Sequence, residues 1–134
     1  MQAQIKLNKS DKFLITGGTG LVGRALEKHL TDQGFKNIVA IGSHDCDLRD
    51  GIEVQKMFSN ISPDYVFHLA ARVHGIGGNA KYKSDVLYEN VMINTNVVEH
   101  ARRNGVKKIV AMGSGCVYPE LNAALRPAPP SAGS

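Results

Sequence analysis

Three glycines in Thr16-Gly17-Gly18-Thr19-Gly20-Leu21-Val22-Gly23 stand at the first, fourth and seventh positions counted from Gly17, directly after an apolar strand and at the opening of a helical pattern. The chemistry suited to that spacing is anion binding. Gly17 allows a tight turn, Gly20 lets the backbone approach a pyrophosphate, and Gly23 permits close packing of helix on strand. The amides of the helix start, through Leu21 and Val22, present unpaired N–H groups and a partial positive charge. A dinucleotide is the expected ligand, a merely structural turn the alternative.

The end of the second strand bears on which dinucleotide. A carboxylate about 20 residues beyond the glycines would bond the ribose hydroxyls of NAD and repel a 2′-phosphate. The run here is Ile41-Gly42-Ser43-His44, with no acid before Asp45. Ser43 and His44 tolerate a phosphate better than a carboxylate would, yet no arginine stands beside them to clamp one. NADP is therefore favoured, with NAD as the alternative. Asp47 and Leu48 are placed to edge the adenine, or else to serve as a helix cap and a core leucine.

These residues need a scaffold, and the chain spells one. Short apolar runs alternate with amphipathic stretches, as in a parallel sheet with crossover helices on both faces. Strands are expected at 13–16, 38–41, 65–69 and 108–112. The first helix carries Val22, Ala25, Leu26, His29 and Leu30 and stops at Gly34. The second opens near Asp47 to Asp50, carries Val54, Met57, Phe58 and Ile61, and closes before Pro63. A third is expected from about Ser84 to Asn104, with Leu87, Val91, Val98 and Ala101 along one face and Gly105 as its cap. From Leu121 the sequence LNAALRPAPPSAGS cannot bury enough apolar area to offset chain entropy, so 121–134 reads as a disordered tail behind a domain spanning 1–120.

At 134 residues, 43% hydrophobic and 21% charged, the chain is expected to be one globular domain. No apolar run approaches the length of a membrane span, and the N-terminus lacks a secretory pattern, so a cytoplasmic location and no membrane partner are expected. The net charge of +4 comes from basic residues scattered along the chain, which argues against nucleic acid as a partner. Cys46 and Cys116 are too few for a disulfide framework and lack metal-ligand spacing, so no metal is expected.

The glycine turn, His68-Leu69-Ala70-Ala71, Tyr88-Glu89-Asn90-Val91 and Gly113-Ser114 together resemble the extended short-chain dehydrogenase/reductases, a Rossmann-type three-layer α/β fold. More narrowly, ARVHGIGGN (71–79), then Tyr82, Asp85, Tyr88 and Asn90, and finally GSGCVYP (113–119), resemble the GDP-L-fucose synthase family. That resemblance implies epimerisation of a keto-deoxy nucleotide-sugar at two carbons followed by NADPH-dependent reduction. It assigns Ser114 to the substrate keto oxygen and Cys116 to acid/base work in the epimerisation. Without the resemblance, Cys116 would read as a buried inert thiol. Leu69, Ala70 and Ala71 match the segment along the nicotinamide half of the cofactor. Asn90 matches an asparagine that orders the active-site strand and loop, and Asn79 ends the substrate-side run.

The family's general acid is the tyrosine of a Tyr-x-x-x-Lys pair, the lysine lowering the tyrosine pKa. Here Tyr65, Tyr82, Tyr88 and Tyr118 are followed four residues later by Leu69, Val86, Met92 and Asn122. No pair exists. The chain is thus expected to be the N-terminal, truncated portion of such an enzyme, incomplete relative to the full fold and with little or no turnover alone. A non-catalytic dinucleotide-binding module, acting as sensor or interaction partner, is the second reading. An exposed apolar edge at the fourth strand is expected to cause self-association.

Overall fold

The structure, a computed structural model, describes residues 6–72 and 80–112. Seven elements follow in strict alternation: β1 (Lys12–Thr16), α1 (Leu21–Asp32), β2 (Asn37–Ile41), α2 (Gly51–Ile61), β3 (Tyr65–His68), α3 (Ala80–Arg103) and β4 (Lys108–Ala111). The strands form one parallel sheet in the order β2-β1-β3-β4. This is the expected Rossmann-type α/β arrangement. The tail at 121–134 lies outside the described residues.

Parallel strands covered on both faces need apolar side chains in both directions, and β1 supplies them. Leu14 faces a cluster with Val66, Val54, Phe58, Ile93 and Val97, under α2 and α3. Phe13 and Ile15 face the other side with Leu30, Phe35 and Tyr65, under α1. The Phe13 ring stacks on Tyr65 at 5.3 Å and meets Phe35 edge-on at 5.0 Å.

Helix ends follow their local chemistry. Asp50, not Asp47, caps α2, its side chain accepting from the Ile52 N–H. Ser62 closes α2 in the left-handed region, at φ 48°. Gly34 and Gly105 take positive φ after α1 and α3, as expected of caps.

Two helices depart from expectation. In α1, Leu26 and Leu30 face the sheet while Val22, Ala25 and His29 are exposed. In α3, the face on the core is Ile93, Val97 and Ala101, whereas Leu87, Val91 and Val98 are exposed. The sequence of α3 carries two apolar stripes, about 100° apart around the helix axis, and only one can meet the sheet. The third strand also stops at His68 and the fourth at Ala111, one residue short of expectation in each case.

Candidate functional site

Because β1 runs to β2 on one side and its other neighbour is β3, the chain reverses direction across the sheet between β1 and β3. A crevice opens at the carboxyl ends of strands at such a point. Here it is a cleft of about 530 Å³ walled by the glycine turn after β1, the loop after β2 and the segment after β3.

The glycine turn divides its labour. Gly17 has φ +70°, and a Cβ there would stand 2.9 Å from the Ala70 nitrogen, so the turn lies directly on the segment after β3. A Cβ on Gly23 would run into the Gly17 carbonyl oxygen, which fixes that residue as the packing point of α1 on the turn. Gly20 differs: a Cβ there would meet only the Gly17 oxygen, at 3.4 Å. It is the N-cap of α1 and offers no side-chain hydrogen bond, leaving the first amides of the helix open to an anion. Gly18 and Gly42, which the sequence did not single out, are close-packing positions too; Cβ atoms there would fall 2.6 Å from Ala40 Cβ and Thr19 Cγ2.

A buried polar relay fixes the wall after β3. Thr16 and His68 end β1 and β3 in register, with Thr16 Oγ1 2.7 Å from His68 Nδ1. The same oxygen accepts from the Leu69 and Ala70 N–H groups, each at 3.2 Å. A threonine hydroxyl has two acceptor sites and one proton, so its proton must go to Nδ1. His68 is therefore the neutral tautomer with its proton on Nε2, which donates to Asn94 Oδ1 at 2.8 Å. Burial pushes the His68 pKa down, against the hydrogen bond to Asn94.

The next residues of the wall are held by α3. Asn90 Oδ1 accepts from the Arg72 N–H at 2.8 Å and its Nδ2 donates to the Arg72 carbonyl at 2.9 Å, in the manner of a neighbouring strand. Beside it, Glu89 Oε2 accepts from Arg72 Nε at 2.7 Å and Oε1 from Arg49 Nη1 at 3.1 Å. Arg49 in turn donates from Nε and Nη2 to the two oxygens of Asp47, at 3.0 and 3.1 Å. These pairs lower the carboxyl pKa values: Asp47 through Arg49, and Glu89 first through Arg72.

The structure brings Gly17, Gly20, Ser43, His44, Asp47, Leu48, Leu69, Ala70 and Ala71 to one cleft. Leu21 and Val22 lie on the exposed first turn of α1 behind it, and Gly23 is buried beneath the turn. Ser43 and His44 are exposed. Asp45, the first acid after β2, turns back to accept from the Gly42 N–H at 2.7 Å. Leu48 is buried in the core and also lines the cleft, so its two readings are compatible. Asn79, Ser114 and Cys116 lie outside the described residues. Sequence reading missed Thr16, Arg49, Arg72, Glu89 and Asn94. Only Thr16 and His68 carried a signal, as polar ends to apolar strands.

Cys46 also lines the cleft, but its thiol is pushed up to about 11, first by burial and then by Glu53 and neighbouring carboxylates. Among the described residues no group of side chains is arranged to hold a metal ion, and no helix is long and apolar enough to cross a membrane.

Residues 13–131 match the family described as NAD dependent epimerase/dehydratase. The chain is 41% identical over 126 residues to the putative GDP-L-fucose synthase 2 of Arabidopsis thaliana, covering 94% of this chain and 38% of that protein. It is 41% identical over 109 residues to the GDP-L-fucose synthase of Dictyostelium discoideum, covering 80% and 34%. Among solved structures, a GDP-L-fucose synthetase from Naegleria fowleri bound to NADP superposes with a TM-score of 0.79 at 39% identity, covering 88% of this chain and 38% of that one. A GDP-D-glycero-L-gluco-heptose synthase from Campylobacter jejuni, solved in the presence of NADPH, gives 0.81 at 36% identity, covering 90% and 36%.

Proposed function

Since the chain belongs to the NAD dependent epimerase/dehydratase family, we propose that it is the cofactor-binding portion of a nucleotide-sugar epimerase/reductase like GDP-L-fucose synthase, with NADP as its dinucleotide. It spans 38% of the Arabidopsis relative's length, so the reaction of a whole enzyme is inferred from likeness, and this chain's own part is to hold the cofactor.

One observation carries the proposal: the start of α1, with no side-chain cap at Gly20, faces a cleft at the reversal point of the sheet. The residues present fit a dinucleotide. The first-turn amides would receive the pyrophosphate, Ser43 and His44 would flank the adenosine ribose, and Leu69, Ala70 and Ala71 would lie along the nicotinamide half. Asp45 accepts from the Gly42 N–H of its own turn and does not line the cleft, which supports NADP over NAD. When bound, the cofactor supplies hydride to a ketone. Ser114 would hold the keto oxygen and Cys116 would move the proton beside it, by their match to the family motif. The missing Tyr-x-x-x-Lys acid removes a contribution of roughly 10²- to 10⁴-fold, so turnover by this chain alone is expected to be negligible. Self-association through the edge of β4 and the exposed Leu87, Val91 and Val98 of α3 belongs to the same proposal.

Calorimetric titration with NADPH and NADH tests it. Saturable binding with NADPH the tighter ligand is expected; a folded sample that binds neither would overturn the proposal. Binding with a 4-keto-sugar nucleotide left unreduced would also suit the second reading, a non-catalytic dinucleotide module.

A further inference from the structure

Arg49 sits in the cleft wall with unusual constraint on its orientation. Three nitrogens are engaged, Nε and Nη2 by the two oxygens of Asp47 and Nη1 by Oε1 of Glu89. Hydrogen bonds to a guanidinium lie in its plane, so the two carboxylates occupy most of its edge. They also offset its charge. The side chain nevertheless keeps 41% of its surface accessible and lines the cleft. What such a residue retains for a ligand is chiefly its flat face. It is a poor clamp for a phosphate, which needs the edge.

Its place in the cleft indicates which part of a ligand would meet that face. The pyrophosphate belongs at the glycine turn and the ribose at the end of β2, beside Ser43 and His44. Asp47, Leu48 and Arg49 follow Ser43 and His44 along the same loop and line the same cleft, which places them next after the ribose. The Leu48 carbonyl is held by Asn96 Nδ2 at 3.0 Å, so this stretch of wall is fixed from α3 as well.

We propose that the guanidinium face of Arg49, held flat by Asp47 and Glu89, is the platform on which the adenine base of the dinucleotide stacks. The inference rests on the cleft being a dinucleotide site. Arg49 makes the contact, and Glu89, reaching across from α3, is a positioning residue that sets the plane. The interaction is indifferent to the 2′-phosphate, so Arg49 contributes to affinity for NADP and NAD alike.

The test uses the full chain with NADPH, NADH and reduced nicotinamide mononucleotide, which lacks adenine. Arg49→Lys keeps the charge and removes the plane. Both Arg49→Lys and Arg49→Ala are expected to weaken NADPH and NADH by the same factor, roughly tenfold, the size of one cation–π stack. Affinity for the mononucleotide should not change. Glu89→Gln, which leaves the Asp47 pair in place, should give a smaller loss and reduce the 260 nm hypochromism of bound adenosine 2′,5′-bisphosphate. Wild-type affinity in Arg49→Lys would overturn the inference by showing that charge suffices. A loss confined to NADPH would overturn it in favour of a phosphate clamp, and an equal loss with the mononucleotide in favour of a structural role. If Arg49→Ala fails to fold, Arg49→Lys and Glu89→Gln decide. Failure of the wild-type chain to bind either dinucleotide is a separate result and removes the underlying site.

Discussion

The Thr16 hydroxyl donates to His68 Nδ1 across the β1–β3 pair while accepting two amides from the segment that follows β3. Four polar groups are thereby satisfied at the floor of the cleft, and the direction of each hydrogen bond follows from the count of protons and lone pairs on one oxygen. Thr16→Val would leave His68 Nδ1 and the Ala70 amide without that partner, at a cost of about 1–3 kcal/mol. Thr16→Ser should recover most of it. Urea unfolding of both variants checks the point.

Burial holds the His68 pKa below its ordinary 6.5. The unfolded chain therefore binds a proton that the native chain refuses, and stability rises with pH across that interval. The contribution is fully present above about pH 6.5 and is lost as pH falls toward the native value. Stability measured from pH 7 to pH 5 should decline, and His68→Asn, whose amide oxygen can still accept from Thr16, should flatten the slope. An unchanged slope in the variant would contradict the assignment.

The glycines of the turn should separate folding from binding. Gly23→Ala forces a Cβ against the Gly17 carbonyl and is expected to lose about 1–3 kcal/mol of stability. Gly20→Ala places its Cβ 3.4 Å from the Gly17 carbonyl oxygen and near no other group, so its melting temperature should fall far less than that of Gly23→Ala while NADPH affinity falls at least tenfold. Thermal melts paired with calorimetry distinguish the two.

Cys46 should be inert in the native state. With its thiol pushed up to about 11, on the order of one molecule in a thousand carries the thiolate at pH 8. Mass spectrometry after iodoacetamide should find Cys46 unmodified until denaturant is added. Rapid native alkylation would show that the site opens.

The exposed edge is testable by charge. Val110 on β4 is 43% exposed, and an apolar edge strand invites pairing with another copy. Sedimentation velocity is expected to show concentration-dependent association that Val110→Lys reduces, because a lysine on an edge resists strand addition.

Most of the fold was legible because each element announces itself locally: apolar strands at four places, glycines at the turns, and Val54, Met57 and Phe58 at helical spacing. The face of α3 was not. Leu87, Val91 and Val98 repeat as regularly as Ile93, Val97 and Ala101, and only the position of the sheet selects between them. The cleft divides the same way. The glycine turn could be read from spacing, because phosphate binding depends on consecutive backbone atoms. Arg49 and Glu89 lie 40 residues apart, and nothing local to either identifies its partner. The role of His68 follows only from its register with Thr16, 52 residues earlier.

Gly17 lies against Leu69 and Ala70, and β1 pairs with β3 across 52 residues. β1 therefore lacks one of its two neighbours until the chain has been made to about residue 70. The glycine turn is thus synthesised about 50 residues before the segment that completes its working shape. A nascent chain arrested before Leu69 should pair β1 with β2 and still capture no nucleotide.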